Sequence, residues 1–155
     1  MDPRDDRLEN LLAAYQQRKQ DETRRQVERA LRVEETRTRG ADALRRAALA
    51  PLRDAAERLR IAGHEVVYQE MLDAYPPGLR LHLWPRPGPL DTTRPRRATF
   101  ELVWGDPEPD ALCARRWTSE GLDRLHDQGS AGADTLDELW VREQVIEFVG
   151  AALAG

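Results

Sequence analysis

The spacing of apolar positions changes character three times along the chain. Between Pro3 and about Arg39 there is no glycine or proline, and apolar residues are sparse. Leu8, Leu11, Leu12 and Tyr15 form one short stripe, and Val27, Ala30, Leu31 and Val33 resume it after a polar gap. Residues 1–39 therefore read as a long polar helical arm, starting at an Asp2 cap followed by Pro3 at the first helical position. Asp5 and Asp6 suit the positive end of the helix dipole. Asp21–Arg25, Glu28–Arg32 and Glu35–Arg39 have the acid-then-base spacing of four that supports an exposed helix. A strict coiled coil needs apolar positions repeated over three or four heptads, which this stretch lacks. The readings left open are a solvated single helix, a loose self-association seam on the Leu8–Tyr15 stripe, and a hairpin folded back on itself.

Behind Gly40 the pattern becomes amphipathic. Leu44, Ala48, Leu52, Ala55 and Leu59 recur in steps of four and three, predicting a packed helix over 41–62. Pro51 must kink or restart it, and Gly63 stands where a C-terminal cap is expected. Gly40 itself breaks or weakens the preceding helix.

From there the period falls to two. Strands are predicted over about 64–72, 79–84, 98–104 and 112–117. Leu79, Leu81 and Leu83 alternate with Arg80, His82 and Trp84. Short connections make the sheet antiparallel. Thr135-Leu136-Asp137-Glu138 has the form of a capping box before an apolar helix over 136–153. Gly129-Ser130-Ala131-Gly132 reads as a flexible linker, and Ser119 as the cap of a short helix ending near Gly129. The fold class is α+β: a helical arm over 1–39, then a head over 40–155 with about four antiparallel strands packed against a C-terminal helix.

Charge divides the same way. Residues 1–60 carry 15 basic and 12 acidic side chains, and residues 61–155 carry 9 and 16. An acidic head is a poor general binder of nucleic acid, so any such role needs a local patch. One exists in the sequence: Arg86, Arg94, Arg96 and Arg97 lie in or beside the proline-rich loop between the second and third strands, with Trp84 and Trp104 flanking it. With Arg24, Arg25 and Arg29 of the arm, this patch defines a nucleic-acid accessory reading. The segment Pro85-Arg86-Pro87-Gly88-Pro89 is also a short extended docking motif.

Conventional catalytic patterns are missing from the sequence. No glycine-rich phosphate loop with its lysine is present. His64, His82 and His126 have no second ligand at metal-binding spacing, and the one cysteine, Cys113, has no local base. Asp106, Glu108 and Asp110 read as a solvated turn rather than a calcium loop. No cofactor, metal or transmembrane span is expected, and the N-terminus has no signal-like apolar run. The leading expectation is a non-enzymatic cytoplasmic interaction or adaptor protein. It would bind itself or a partner helix through Leu8, Leu11, Leu12, Tyr15, Leu44, Leu52 and Leu59. The alternatives are the nucleic-acid accessory protein and a small enzyme of unknown reaction.

Overall fold

The structure is a computed structural model that describes residues 2–92, 96–105, 111–118, 126–132 and 134–154. It consists of two compact units, Met1–Glu35 and Thr36–Gly155. Helix α1 (Pro3–Ala47) spans both of them, and α2 (Leu49–Ile61) follows. Five strands come next: β1 (Glu65–Met71), β2 (Gly78–Trp84), β3 (Ala98–Trp104), β4 (Ala111–Thr118) and β5 (His126–Gly132). Helix α3 (Glu138–Ala154) closes the chain. This is the expected α+β class, with the C-terminal helix packed on an antiparallel sheet.

The first unit is helix alone. Asp2 begins it: its Oδ1 accepts from the Arg4 N–H at 3.0 Å, as the cap reading required. Asp21 bonds Arg24, one turn on, rather than Arg25. Every side chain from Asp2 to Glu35 is exposed except that of Asp21, which is half-buried.

In the second unit Gly40 does not end α1, so of the break or weakening expected there the break does not occur. A single glycine costs a helix only about 1 kcal/mol relative to alanine, and here packing requires it. A Cβ at Gly40 would lie 2.8 Å from Pro77 Cγ and closer still to Cγ and Cδ1 of Trp104. The expected helix over 41–62 is in two pieces, divided at Ala48, which caps α2 without a side-chain hydrogen bond. Pro51 explains the position. It has no N–H to give the carbonyl of Ala47, and its ring crowds that carbonyl, so the chain restarts just upstream. Pro51 then lies in the first turn of α2, where its missing donor is no loss. Gly63, at φ 94°, terminates α2 as predicted. The His64 N–H reaches the Leu59 carbonyl at 3.0 Å, and the Gly63 N–H reaches that of Arg60 at 2.9 Å. That paired pattern satisfies carbonyls the helix end would leave open.

The sheet is a meander, β1-β2-β3-β4-β5, antiparallel throughout. One face carries Val66, Leu79, Leu81, Leu83, Phe100, Leu102, Trp104, Leu112 and Ala114, all buried. Helix α3 covers it with Val141, Val145 and Phe148, the last stacking on Phe100 at 5.3 Å between ring centroids. Leu44, Leu52, Ala56 and Leu59 enter the same core from α1 and α2.

Two expectations about the back of the head are corrected. The Gly129–Gly132 stretch is not a linker: it belongs to β5, paired with the edge of β4. Its small residues suit that place, because a Cβ at Gly129 would meet Gln144 Oε1 of α3 at 3.2 Å. The short helix expected from Ser119 lies outside the described residues as far as 125, and beyond that the chain is strand. The cap of α3 comes from Asp137 rather than Thr135. Asp137 Oδ1 accepts from the Trp140 N–H at 2.8 Å, whereas Thr135 Oγ1 bonds back to Gly132. The helix accordingly starts two residues later than predicted, and Leu136 is buried ahead of it.

Candidate functional site

Two surfaces collect the residues with binding character. The first is on α1. Leu8, Leu11, Leu12 and Tyr15 are 54–66% exposed, large apolar side chains on a helix that buries none of them within its own unit. Val27, Leu31 and Val33 are exposed as well. At about 100° per residue Val27 and Leu31 lie roughly a third of a turn round from the first stripe, whereas Val33, roughly five whole turns beyond Tyr15, returns to its side, so the apolar positions do not form one continuous seam. Leu44, Leu52 and Leu59, expected to join this surface, do not: they are 0%, 0% and 7% exposed in the head core. The amphipathic face of α2 is spent on the chain's own sheet.

The second surface is the sheet face opposite α2 and α3. Alternation turns Arg80, His82 and Trp84 of β2 to this side. Register then sets Glu101 beside Arg80, Thr99 beside His82, and Arg115 and Trp117 on the next strand. Arg80 grips Glu101 with two bonds to one oxygen, Nε at 2.8 Å and Nη2 at 2.6 Å. Its guanidinium carbon also lies 5.7 Å from the centre of the Trp117 ring, a cation–π contact. His82 Nδ1 and Thr99 Oγ1 share a hydrogen bond of 2.8 Å. The His82 ring stands 6.1 Å from that of Trp84. Thr99 is fully buried and Glu101 is 9% exposed, whereas His82, Trp84, Arg97, Arg115 and Trp117 remain half-buried. Glu101 is thus a buried carboxylate held by its arginine, a geometry that fixes both side chains.

Burial, and then the positive charges of Arg97 and Arg80, hold the His82 imidazole below the ordinary 6.5, with Glu101 opposing them. The folded chain therefore binds fewer protons at this site than the unfolded chain does. Stability from this site is complete above 6.5 and is lost as pH falls from there through the lowered folded value. Thermal unfolding between about pH 7 and pH 5 is expected to show that loss. In His82→Gln the slope flattens; an unchanged slope in the variant would place its origin elsewhere.

The loop patch is only partly assembled. Trp84 and Trp104 do not flank the loop together. In an antiparallel hairpin the end of the second strand returns to the start of the first, so Trp104 sits beside Pro77, to whose carbonyl its N–H donates at 3.0 Å. It is also fully buried on the core face, against Gly40, and offers no ring to a ligand. Arg97 lies against the open face close enough to act on His82. Arg96 is exposed, and Arg94 falls outside the described residues. Arg86 leans on Gly63, its Nη1 placed 3.0 Å from where a Cβ there would stand. Its N–H donates to His64 Nδ1 at 2.8 Å, which accounts for that histidine.

Elsewhere the chemistry is structural. Cys113 is buried and forms no disulfide. The Tyr68 phenol is pushed above its ordinary 10.0 by burial and by Glu70, so it is a poor proton source. Glu70 is bonded to Arg53 of α2 at 2.7 Å. A cavity of about 210 Å3 lies between β3, β4 and α3, lined in part by Ala98, Arg116, Phe148 and Ala152. That is below the roughly 300–1,000 Å3 of ordinary ligand pockets. Among the described residues no cluster of three histidine, cysteine or acidic side chains could hold a metal ion. None of their helices is long and apolar enough to cross a membrane. His126 falls in β5, and the Asp106–Asp110 segment lies outside the described residues.

Residue-level pattern reading found Trp84 and Arg97 but missed Arg80, Glu101, Arg115 and Trp117. Their signal was present as the alternate positions of strands already recognised; only the cross-strand register brings them together. Comparison with protein-family models, with curated proteins and with solved structures finds no match to this chain.

Proposed function

We propose that this is a non-enzymatic interaction protein that self-associates through its N-terminal helix. The observation that supports the reading is the stripe Leu8, Leu11, Leu12 and Tyr15, each more than half exposed on one side of α1. Helices polar all round bridge solvent, but a clustered apolar stripe on an otherwise solvated helix marks a contact surface. Burying three leucines and a tyrosine between two helices removes enough apolar area for about 1.5–3 kcal/mol per fully buried leucine, before association costs. Tyr15 adds a flat ring with a polar tip suited to an interface rim. The core-bound Leu44, Leu52 and Leu59 take no part.

Size-exclusion chromatography with light scattering tests this on the full chain. The wild type is expected to run as an oligomer at high micromolar concentration. A Leu8→Ser, Leu11→Ser, Leu12→Ser, Tyr15→Ser variant is expected to run as a monomer with an unchanged head transition. A monomeric wild type would refute the reading.

A further inference from the structure

The open sheet face carries charge and aromatic rings that the self-association reading does not use. Between positions 80 and 97 the chain has five arginines, Arg80, Arg86, Arg94, Arg96 and Arg97, against one acid, Asp91. The segment 61–155 as a whole has 9 basic and 16 acidic residues. More than half of the positive charge of that segment therefore falls between positions 80 and 97, and Arg115 stands on the same face from β4. Glu101 neutralises Arg80. Arg97 differs: its Nε is buried and has no hydrogen-bond partner among the described residues. A buried unpaired donor costs free energy unless a ligand supplies the acceptor.

Between these charges stand the rings. Trp84 and Trp117 are half-buried, their bodies packed and their remaining surface open to solvent. Trp117 is in register with Thr99 and, through it, with His82. Trp84 is two residues along β2 from His82. Strand spacing and rise then place the two tryptophan positions roughly 12 Å apart across the sheet. One base cannot stack on both, whereas two bases of one extended strand with a nucleotide between them can. A duplex keeps its bases paired inside, out of reach of rings set in a flat sheet.

We infer that the face formed by β2, β3 and β4 binds single-stranded nucleic acid, with bases stacked on Trp84 and Trp117 and backbone phosphate held by Arg97, beside His82, and by Arg115. Stacking is tolerant of base identity, because every base presents a π face, so the site has little sequence preference. The arginine contribution is salt-sensitive. Arg80 and Glu101 are positioning residues: their ion pair holds the guanidinium that packs over Trp117.

Fluorescence anisotropy of a labelled oligothymidylate of about twelve nucleotides, titrated with the full chain at about 50 mM salt, tests this. Trp84→Leu and Trp117→Leu are each expected to weaken binding about tenfold, with Trp84→Phe and Trp117→Phe recovering most of the loss. Arg97→Ala is expected to reduce the slope of log affinity against log salt by about one. Circular dichroism confirms folding of each variant; should a leucine variant unfold, its phenylalanine counterpart and quenching of wild-type tryptophan fluorescence by the oligonucleotide carry the test. No binding at low salt would overturn the inference. So would duplex of equal length binding as tightly as the single strand, or affinity indifferent to both tryptophans, which would show that charge alone, without stacking, holds the oligonucleotide. The same titration on the α1 stripe variant separates the two proposals, since the sheet face is expected to bind the strand whether or not the chain self-associates.

Discussion

Leu52→Ala is expected to cost the head about 2–5 kcal/mol, the usual range for removing a leucine from a packed core. Leu52 is fully buried, in one cluster with Leu44, Leu59, Leu81 and Phe148. The truncation removes apolar contact and leaves a cavity that helices pinned on a sheet cannot close. Leu11→Ala, by contrast, is expected to shift the same transition by less than about 0.5 kcal/mol, because Leu11 is 66% exposed and touches no such feature. Urea unfolding followed by tryptophan fluorescence separates the two. A mild Leu52→Ala would mean that the amphipathic face of α2 is not the seat of head stability, and would return it to the list of partner surfaces.

Gly40→Ala is expected to run against the ordinary helix rule. In an exposed helix interior the substitution would stabilise by about 0.5–1 kcal/mol. Here the added methyl meets Trp104, which is fully buried and pinned between Gly40 and the sheet. Overpacking of this kind costs about 1–3 kcal/mol, so the net sign is destabilising. The cause is checked by repeating Gly40→Ala in a Trp104→Phe background, where the smaller ring gives the methyl room. The penalty is expected to shrink there; an equal penalty in both backgrounds would show that the Pro77 ring, 2.8 Å from the added methyl, and not the indole, is responsible.

These two residues also show what could be read from the chain alone. The α+β class, the leucine side of β2, the glycine stop at Gly63 and the apolar body of α3 were legible because each is a local periodicity or a local backbone requirement. The reason for Gly40 was hidden because it is tertiary: nothing nearby in sequence announces a tryptophan more than sixty positions away. Trp104 was misplaced for a related reason. Adjacency to a loop in chain order becomes distance in an antiparallel hairpin, where strand ends alternate between the two ends of the sheet. β5 was missed because Gly129, Ser130 and Ala131 have poor strand propensity; an unsatisfied neighbouring strand edge and the close approach of α3 outweigh it. The open face was half visible. His82 was placed opposite the leucines, but its neighbours Thr99, Glu101, Arg115 and Trp117 come from two further strands, and only a known register joins them.

The meander has a kinetic corollary. Each strand bonds only its chain neighbours, so hairpins can zip in succession with short loops to close, and such local wiring favours rapid assembly. The exception is α3, which must travel back across the whole sheet to meet α2 and Phe100. Until it does, the part of the sheet face that α3 covers, around Phe100, lies bare. A chain stopped before Glu138 would carry every strand yet expose Phe100 and Leu102 to its neighbours, and clumping rather than simple loosening is its expected fate.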